Sequence, residues 1–391
     1  MKAMVLCAGK GTRVQPITFS TPKPMINIIN RPILSFILEH LKNEGVDQVV
    51  INTSYLSDNI ESYFGDGIDH GMKISYSYEG GKVDGELQGI AVGSAGGMKR
   101  IQDRSGFFDD TFVVLCGDAI IDLDIRALVR FHKERGSVAT IASLNVPLEE
   151  VDKYGIIVSD ENGAITSFQE KPDPQSAQST LANTGIYVFE PEIFDYIPSA
   201  TEFDIGSELF PMLIEQGVPF YAMENQFDWI DVGNLDDYVS SNFQVLDGSS
   251  PLVKMPGTEV KPGVFVGSNV SLNAALPLIE GPVYIGAGAT IKTGAVIKGP
   301  AIIGANSVVE ANSYIERTIT SSYTHIRQNS RVIDKVIFDD WLISSGQPSL
   351  KLDVSELAGY VGDIREQPDC IFSEGDKPRE VTDDQRSLKS A

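Results

Sequence analysis

The sequence predicts an α/β protein: a Rossmann-like, doubly wound, mostly parallel sheet followed by a left-handed parallel β-helix of hexapeptide repeats. Three observations predict it. Short β-branched runs alternate with amphipathic helical patterns up to about residue 245. The stretch Asp247-Gly248-Ser249-Ser250-Pro251 reads as a linker. Beyond it, apolar residues recur at every sixth position.

In chain order, Ala3–Cys7 reads as a strand. Pro32–Asn43 reads as a helix with Ile33, Phe36, Ile37, His40 and Leu41 on one face and Gly45 just past its end. Gln48–Asn52 reads as a strand, Asp58–Phe64 as a short helix and Lys73–Tyr78 as an alternating strand. Thr111–Cys116 is a continuous apolar run, as a central strand buried on both faces requires. Ile125–Arg135 is helical and closes at Gly136, and Val138–Leu144 is again a strand. This β-α-β rhythm argues for parallel strands joined by crossover helices.

The repeat runs through Ile279, Ile285, Ile291, Ile297, Ile303, Val309 and Ile315. Small residues stand four places after the middle members: Ala289, Ala295, Ala301, Ser307 and Ser313. A period of six suits neither a helix nor an alternating sheet. It suits a prism in which each short strand spans one face, three strands make a turn, and branched side chains stack inside. The organisation expected is therefore residues 1–246, a β-helix over 247–345, and an extension over 346–391. Glu374–Ala391, charged and without period, is expected to be disordered.

With 31 Lys and Arg against 54 Asp and Glu, the formal charge is −23. So acidic a chain repels polyphosphate backbones, which excludes nucleic acid as an expected partner. No stretch is long and apolar enough to span a bilayer, and the start runs straight into a strand, so no membrane association and a cytoplasmic location are expected. Cys7, Cys116 and Cys370 are too few and too scattered for a disulfide framework or a zinc site; the first two end apolar strand patterns and read as small buried residues.

Against that acidic background, cations concentrate where the first strand ends. Lys10, Arg13 and Lys23 lie within the run Ala8-Gly9-Lys10-Gly11-Thr12-Arg13 through Pro22-Lys23-Pro24. Glycines let a backbone approach a ligand and aim several N–H groups at one point, and a triphosphate needs both amides and cations. Gly-x-Gly alone would equally suit a dinucleotide fold, and the run is not a P-loop. The strand Thr111–Cys116 ends in Gly117-Asp118, an acidic residue at the edge where open α/β sheets bind ligands. Asp122 and Asp124 follow it; either could also reach a metal there, while their positions suit capping of the next helix.

The full string Gly-x-Gly-Thr-Arg-x-x-Pro-x-Thr-x-x-x-Pro-Lys-Pro closely resembles the signature of the sugar-nucleotide pyrophosphorylase superfamily, and the resemblance extends over about 345 residues. It implies that Ala8, Gly9, Gly11 and Thr12 wrap a nucleoside triphosphate, that Arg13 binds its outer phosphates, and that Lys23 bridges it to a sugar phosphate. Asp118, next to Gly117, and Asp231, in Trp229-Ile230-Asp231-Val232-Gly233, would hold Mg²⁺. In Phe168-Gln169-Glu170-Lys171-Pro172, Glu170 would read sugar hydroxyls and Lys171 grip the sugar phosphate. Gly155 and Asn183-Thr184 would line the sugar pocket. The base-binding turn would be Gly93-Ser94-Ala95-Gly96-Gly97, set apart from Tyr78-Glu79 by an extra loop, which leaves Glu79, Gln88 or backbone groups as readers of the base. Catalytic roles would fall to Arg13, Lys23 and Lys171.

Within that family the phrases Phe-Val-Val-Leu-Cys-Gly-Asp-Ala and Phe-Glu-Pro-Glu-Ile-Phe-Asp-Tyr-Ile-Pro are most similar to the cyanobacterial type of UDP-glucose pyrophosphorylase. They imply UTP and glucose 1-phosphate as substrates, with GTP and mannose 1-phosphate as the alternative. Two other classes compete. Hexapeptide β-helices often host acyltransferases, for which His325 is the one C-terminal histidine. A non-catalytic, ligand-sensing homologue would tend to lose Arg13, Lys23, Asp118, Lys171 or Asp231, and all are present. The flat faces and coil ends of a β-helix suggest a homo-oligomer.

Overall fold

A computed structural model describes the chain apart from residues 84–85, 91, 273–276, 353–358, 366–378 and 382–391; at 82–83, 86–88 and 379–381 the backbone alone is described. The expectation for residues 374–391 falls almost wholly outside the described residues, as does Cys370. The chain divides into two compact units. One comprises Met1–Thr12, Ser20–Ile26 and Ile33–Ile230; the other comprises Arg13–Phe19, Asn27–Pro32 and Asp231–Ala391.

The first unit is built on one large sheet. Its parallel half contains β1 (Lys2–Cys7), β2 (Gln48–Thr53), β3 (Lys73–Tyr78) and β6 (Phe112–Cys116), in the order β6-β1-β2-β3. Between β3 and β6 lie the hairpin β4 (Gly80–Val83) and β5 (Glu86–Gly89) and the helix α3 (Ser94–Ser105). Helices α1 (Ile33–Asn43) and α2 (Ser57–Phe64) make the other crossovers. The buried stripe of α1 contains Ile33, Leu34, Ile37, Leu38 and Leu41. It is rotated from the expected face, and His40 instead hydrogen-bonds the carbonyl of Leu123 at 2.8 Å.

After the short strand β7 (Ala119–Ile121), the helix α4 (Ile125–Arg135) is capped at its start by Asp124, whose side chain accepts from the amide of Ala127. Asp122 accepts from the amide of Asp228 at 2.8 Å. The sheet then changes character. Strands β8 (Ala139–Asn145), β9 (Gly155–Ser159), β10 (Ile165–Glu170) and β11 (Leu181–Phe189) extend it antiparallel: β11 pairs with β6, β8 and β9, and β9 with β10. Past the helix α5 (Phe210–Glu215), β12 (Phe220–Glu224) returns parallel to β8. Phe108, Phe112, Phe189 and Phe210 are fully buried, two of them on strands of this sheet, and the rings of Phe112 and Phe194 stack with centroids 5.7 Å apart. This packing makes a stiff floor for whatever the strand ends carry.

In the second unit, strands stack into three ladders whose central pairs are parallel, with antiparallel pairs at the ends of two of them. Val283, Ala301, Ile319 and Val336 begin successive strands of one ladder, and Leu278, Val296, Tyr314 and Ser330 those of another. All seven hexad residues are buried, from Ile279 at 4% to Ile285, Ile291, Ile297, Ile303, Val309 and Ile315 at 0%. The small residues Ala289, Ala295, Ala301, Ser307 and Ser313 are buried beside them. Corners fall on Gly288, Gly294, Asn306 and Asn312, all with positive φ, a conformation open to glycine and tolerated by asparagine. Helix α6 (Leu235–Leu246), capped by Asn234, precedes the first coil.

Candidate active site

The parallel register sets the candidate site. Leu6 lies beside Cys116, Cys7 beside Thr53, and Thr53 beside Tyr78, so β6, β1, β2 and β3 end together. A crevice at the carboxyl ends of parallel strands is where such sheets bind ligands. The glycine run leaves from Cys7. At Gly9 an added Cβ would meet nothing within 4 Å, so packing within the protein does not demand glycine there. At Gly117 it does: a Cβ would lie 2.5 Å from the Cys7 sulfur and 2.9 Å from the Leu6 carbonyl oxygen. The Gly117 amide donates to that same oxygen at 3.0 Å, which draws the Gly-Asp turn against the end of β1.

That turn delivers Asp118 to Lys23. The Lys23 ammonium lies 2.5 Å from the Asp118 carboxylate. Lys23 opens a single 3₁₀ turn, Lys23–Met25, with Pro22 at its N-cap and Pro24 at its second position. The flanking prolines fix the backbone on both sides, and Lys23 is only 9% exposed. A lysine so enclosed requires a partner, and Asp118 supplies it. Burial pushes the Cys7 thiol well above its ordinary range, followed by the charge of Asp118 and then Cys116, so Cys7 stays protonated and inert.

A second cluster lies where β9, β10 and β11 meet. Gly155 faces Glu170 in the β9–β10 register. A Cβ on Gly155 would stand 2.4 Å from the Phe168 ring and 3.2 Å from Glu170 Oε2, so this glycine is required by Phe168 as well as by any ligand. Lys171 adopts φ +46°, an uncommon region for lysine, with its ammonium 3.6 Å from Glu170 and its amide donating to Tyr154. Both side chains are about half exposed. Asn183 accepts from the Gly185 amide and donates to the Tyr187 hydroxyl. Thr184 turns inward: it is 4% exposed and its hydroxyl donates to the Ala142 carbonyl at 2.7 Å, propping β8 against β11.

The turn at 93–97 is the N-terminus of α3. Gly93 has φ +72°, and a side chain there would collide with the backbone of Phe203. The Gly96 amide donates to the Phe203 carbonyl at 2.8 Å. The Ser94 hydroxyl donates to Asp204 at 2.7 Å and accepts from the amide of Ile205. Asp204 is the residue that motif reading missed. Burial raises its carboxyl, but hydrogen bonds from Ser207, Ser94 and Gly206 outweigh this and hold it below the ordinary carboxylate range. Asp204 followed by Ile-Gly-Ser-Glu is a legible helix cap; its tie to Ser94, at a sequence distance of 110, is not.

The extra loop is the β4–β5 hairpin. It closes on the Glu79 carbonyl, which accepts from the Ile90 amide at 3.1 Å and from the Ser54 hydroxyl at 3.0 Å. The Gln88 side chain lies outside the described residues. Glu79 is 4% exposed and bonded through its carboxylate to Asn52, so it faces inward rather than toward a base.

Asp231 ends the strand β13 (Trp229–Asp231), whose Trp229 and Ile230 share a unit with β7, the strand it pairs with just past Asp118. Arg13 is exposed on the 3₁₀ turn Thr12–Val14. Among the described residues no group of three or more His, Cys, Asp or Glu side chains could hold a metal, and no helix is long and apolar enough to cross a membrane. His325, the acyltransferase candidate, lies 3.2 Å from Glu310, which also binds Lys292.

Comparison with known proteins places this geometry. The model of the nucleotidyl transferase family matches residues 2–248, and that of the bacterial transferase hexapeptide, with six repeats, matches 282–317. A Synechocystis protein named UTP–glucose-1-phosphate uridylyltransferase is 46% identical over 382 residues, 98% of either chain. The Xenopus tropicalis mannose-1-phosphate guanylyltransferase catalytic subunit beta is 36% identical over 242 residues, 61% of this chain and 63% of that one. The crystal structure of HddC from Yersinia pseudotuberculosis shares the fold, with a TM-score of 0.52 at 22% identity over 62% of this chain and 99% of its own.

Proposed function

The chain belongs to the nucleotidyl transferase family, and from that premise we propose that it transfers the nucleoside monophosphate of UTP to glucose 1-phosphate, releasing pyrophosphate. The observation that carries the choice of substrates is the end-to-end match, at 46% identity, with a protein named for that reaction. The guanylyltransferase match is weaker, at 36%, and covers 61% of this chain.

The Lys23–Asp118 pair supports the chemistry. The Lys23 ammonium and the Asp118 carboxylate lie 2.5 Å apart, so one fixed pair offers a positive charge to a phosphate oxygen and a negative charge to a cation. Mg²⁺ fits this donor set, since it is commonly held by one or two carboxylates with substrate phosphates and water completing its shell. Asp118 would hold the ion, with Asp231 as the second carboxylate that the family signature implies, and a bound ion would neutralise phosphate charge. The amides of Ala8, Gly9, Gly11 and Thr12 wrap the triphosphate, with Gly117 beside them, and Arg13 holds the departing pyrophosphate. The turn from Gly93 through Ser94 to Gly96 meets the base through its backbone.

On the sugar side, Glu170 accepts from hydroxyls, Asn183 reads them with its carboxamide, Thr184 braces the strand that carries Asn183, and Lys171 holds the sugar phosphate. Gly155 leaves space beside Glu170. The attacking phosphate oxygen is already ionised, so no general base is needed and positioning supplies the acceleration. A homo-oligomer joined through the β-helix completes the proposal, and light scattering of the purified chain checks it.

The test is pyrophosphate release across a matrix of nucleoside triphosphates and hexose 1-phosphates. The expected result is the highest kcat/KM for UTP with glucose 1-phosphate. A maximum for GTP with mannose 1-phosphate would transfer the assignment to the guanylyltransferase reaction, and no turnover with any pair would refute it altogether.

A further inference from the structure

Beneath the glycine run lies a buried polar chain that the proposed reaction does not use directly. The amide of Cys7, where β1 ends, donates to the Asn52 side-chain oxygen at 2.7 Å. The Asn52 side-chain nitrogen donates in turn to Glu79 Oε1 at 2.6 Å. Asn52 is 3% exposed and Glu79 is 4% exposed.

A carboxamide is chemically two-ended, and turned over it would present its NH₂ to the Cys7 N–H and lose that bond. Glu79 accepts from the nitrogen and so fixes which end meets Cys7. Its own position is fixed in turn. A Cβ on Gly97 would stand 2.4 Å from Glu79 Oε1, so the base turn is pressed onto the carboxylate. Burial raises the Glu79 carboxyl, while its hydrogen bond from Asn52 and the nearby Arg100 charge draw it back. Arg100 also donates to the Gly80 carbonyl at 3.1 Å, and the Glu79 carbonyl closes the β4–β5 hairpin.

We propose that Glu79, acting through Asn52, is a positioning residue for the nucleoside triphosphate, joining the glycine run, the base turn and the β4–β5 hairpin into one rigid nucleotide-binding frame. This rests on the functional reading above. It deepens it by separating the two substrates: all three joined segments are on the nucleotide side, and none of the contacts reaches Gly155, Glu170, Lys171 or Asn183. A sequence reading that makes Glu79 a direct reader of the base is replaced by one in which it acts from behind the loop.

The experiment compares wild type, Glu79→Leu, Glu79→Gln and Asn52→Ala in steady-state pyrophosphate release, varying UTP and glucose 1-phosphate separately. Hydrogen exchange of the peptide covering residues 8–12 is measured alongside. Glu79→Leu and Asn52→Ala are expected to raise KM for UTP roughly 10- to 100-fold, as for a lost buried charge-assisted hydrogen bond that orients a binding loop. KM for glucose 1-phosphate should stay within about threefold, and exchange at 8–12 should quicken. Glu79→Gln, which keeps an acceptor, should recover UTP binding to within about threefold of wild type.

Equal rises in both KM values, an unchanged KM for UTP, or loss of folding in both Glu79→Leu and Asn52→Ala would each overturn the positioning role. Wild-type turnover keeps the two readings apart. An inactive wild type refutes the reaction, whereas an active wild type with indifferent variants refutes only the frame.

Discussion

The β-helix and the lip of the sheet solve opposite problems. In the β-helix every buried position has a copy: Ile285, Ile291, Ile297 and Ile303 are interchangeable in kind, each at 0% exposure and flanked by another coil. At the lip the polar contacts are individual: Lys23 has Asp118, Asn52 has Glu79 and Ser94 has Asp204. Repetition spreads stability over many equal contacts, while chemistry is concentrated in unique ones. Damage to one region should therefore be read mostly as lost stability, and damage to the other mostly as lost turnover.

The sharpest contrast comes from Lys23→Ala. It removes the ammonium from a partly buried carboxylate and is expected to lower kcat by on the order of 10²–10³ in a pyrophosphate-release assay. Ile297→Ala, at a fully buried position, should cost about 2–5 kcal/mol in the unfolding of the β-helix and leave kcat within about twofold. Activity that fell with it, measured where the variant stays folded, would break the comparison. Asp124→Ala, which removes the cap of α4, should cost about 1 kcal/mol by denaturant titration with turnover unaltered.

The gentlest effect concerns pH. The Asp204 carboxyl is held below its ordinary value, so its contribution to stability is present above that value and is lost as pH falls through the folded one. Asp204→Asn should flatten this acid-side loss, read as the shift in Tm between neutral and acidic buffer.

The two regions were also unequally legible in the sequence. The β-helix announced itself because one physical constraint, a branched side chain turned inward on each face, is written seven times over. The signal ends at Ile315 although the ladders continue, because the coils shorten. Val296 pairs with Tyr314, a step of 314 − 296 = 18, and Tyr314 with Arg331, a step of 331 − 314 = 17.

In the sheet, the parallel strands and α4 were readable from local pattern. The antiparallel half was not: β8 follows α4 as a crossover strand would, yet its partner β11 begins at Leu181, and pairing across such a distance leaves no local trace. Motif strings nominated candidate site residues but not their orientation. Thr184 and Glu79 sit within those strings and point inward, since a strand pattern does not say which face a ligand will occupy.

The central claim is that Lys23 and Asp118 form the charge pair that receives a metal–triphosphate complex, and Asp118→Asn tests it most directly. The substitution keeps the size and one acceptor oxygen of the side chain while removing its charge. With saturating UTP, glucose 1-phosphate and Mg²⁺, pyrophosphate release should fall by at least about 10²-fold while Tm changes little. Release within a few-fold of wild type from a folded variant would contradict the account.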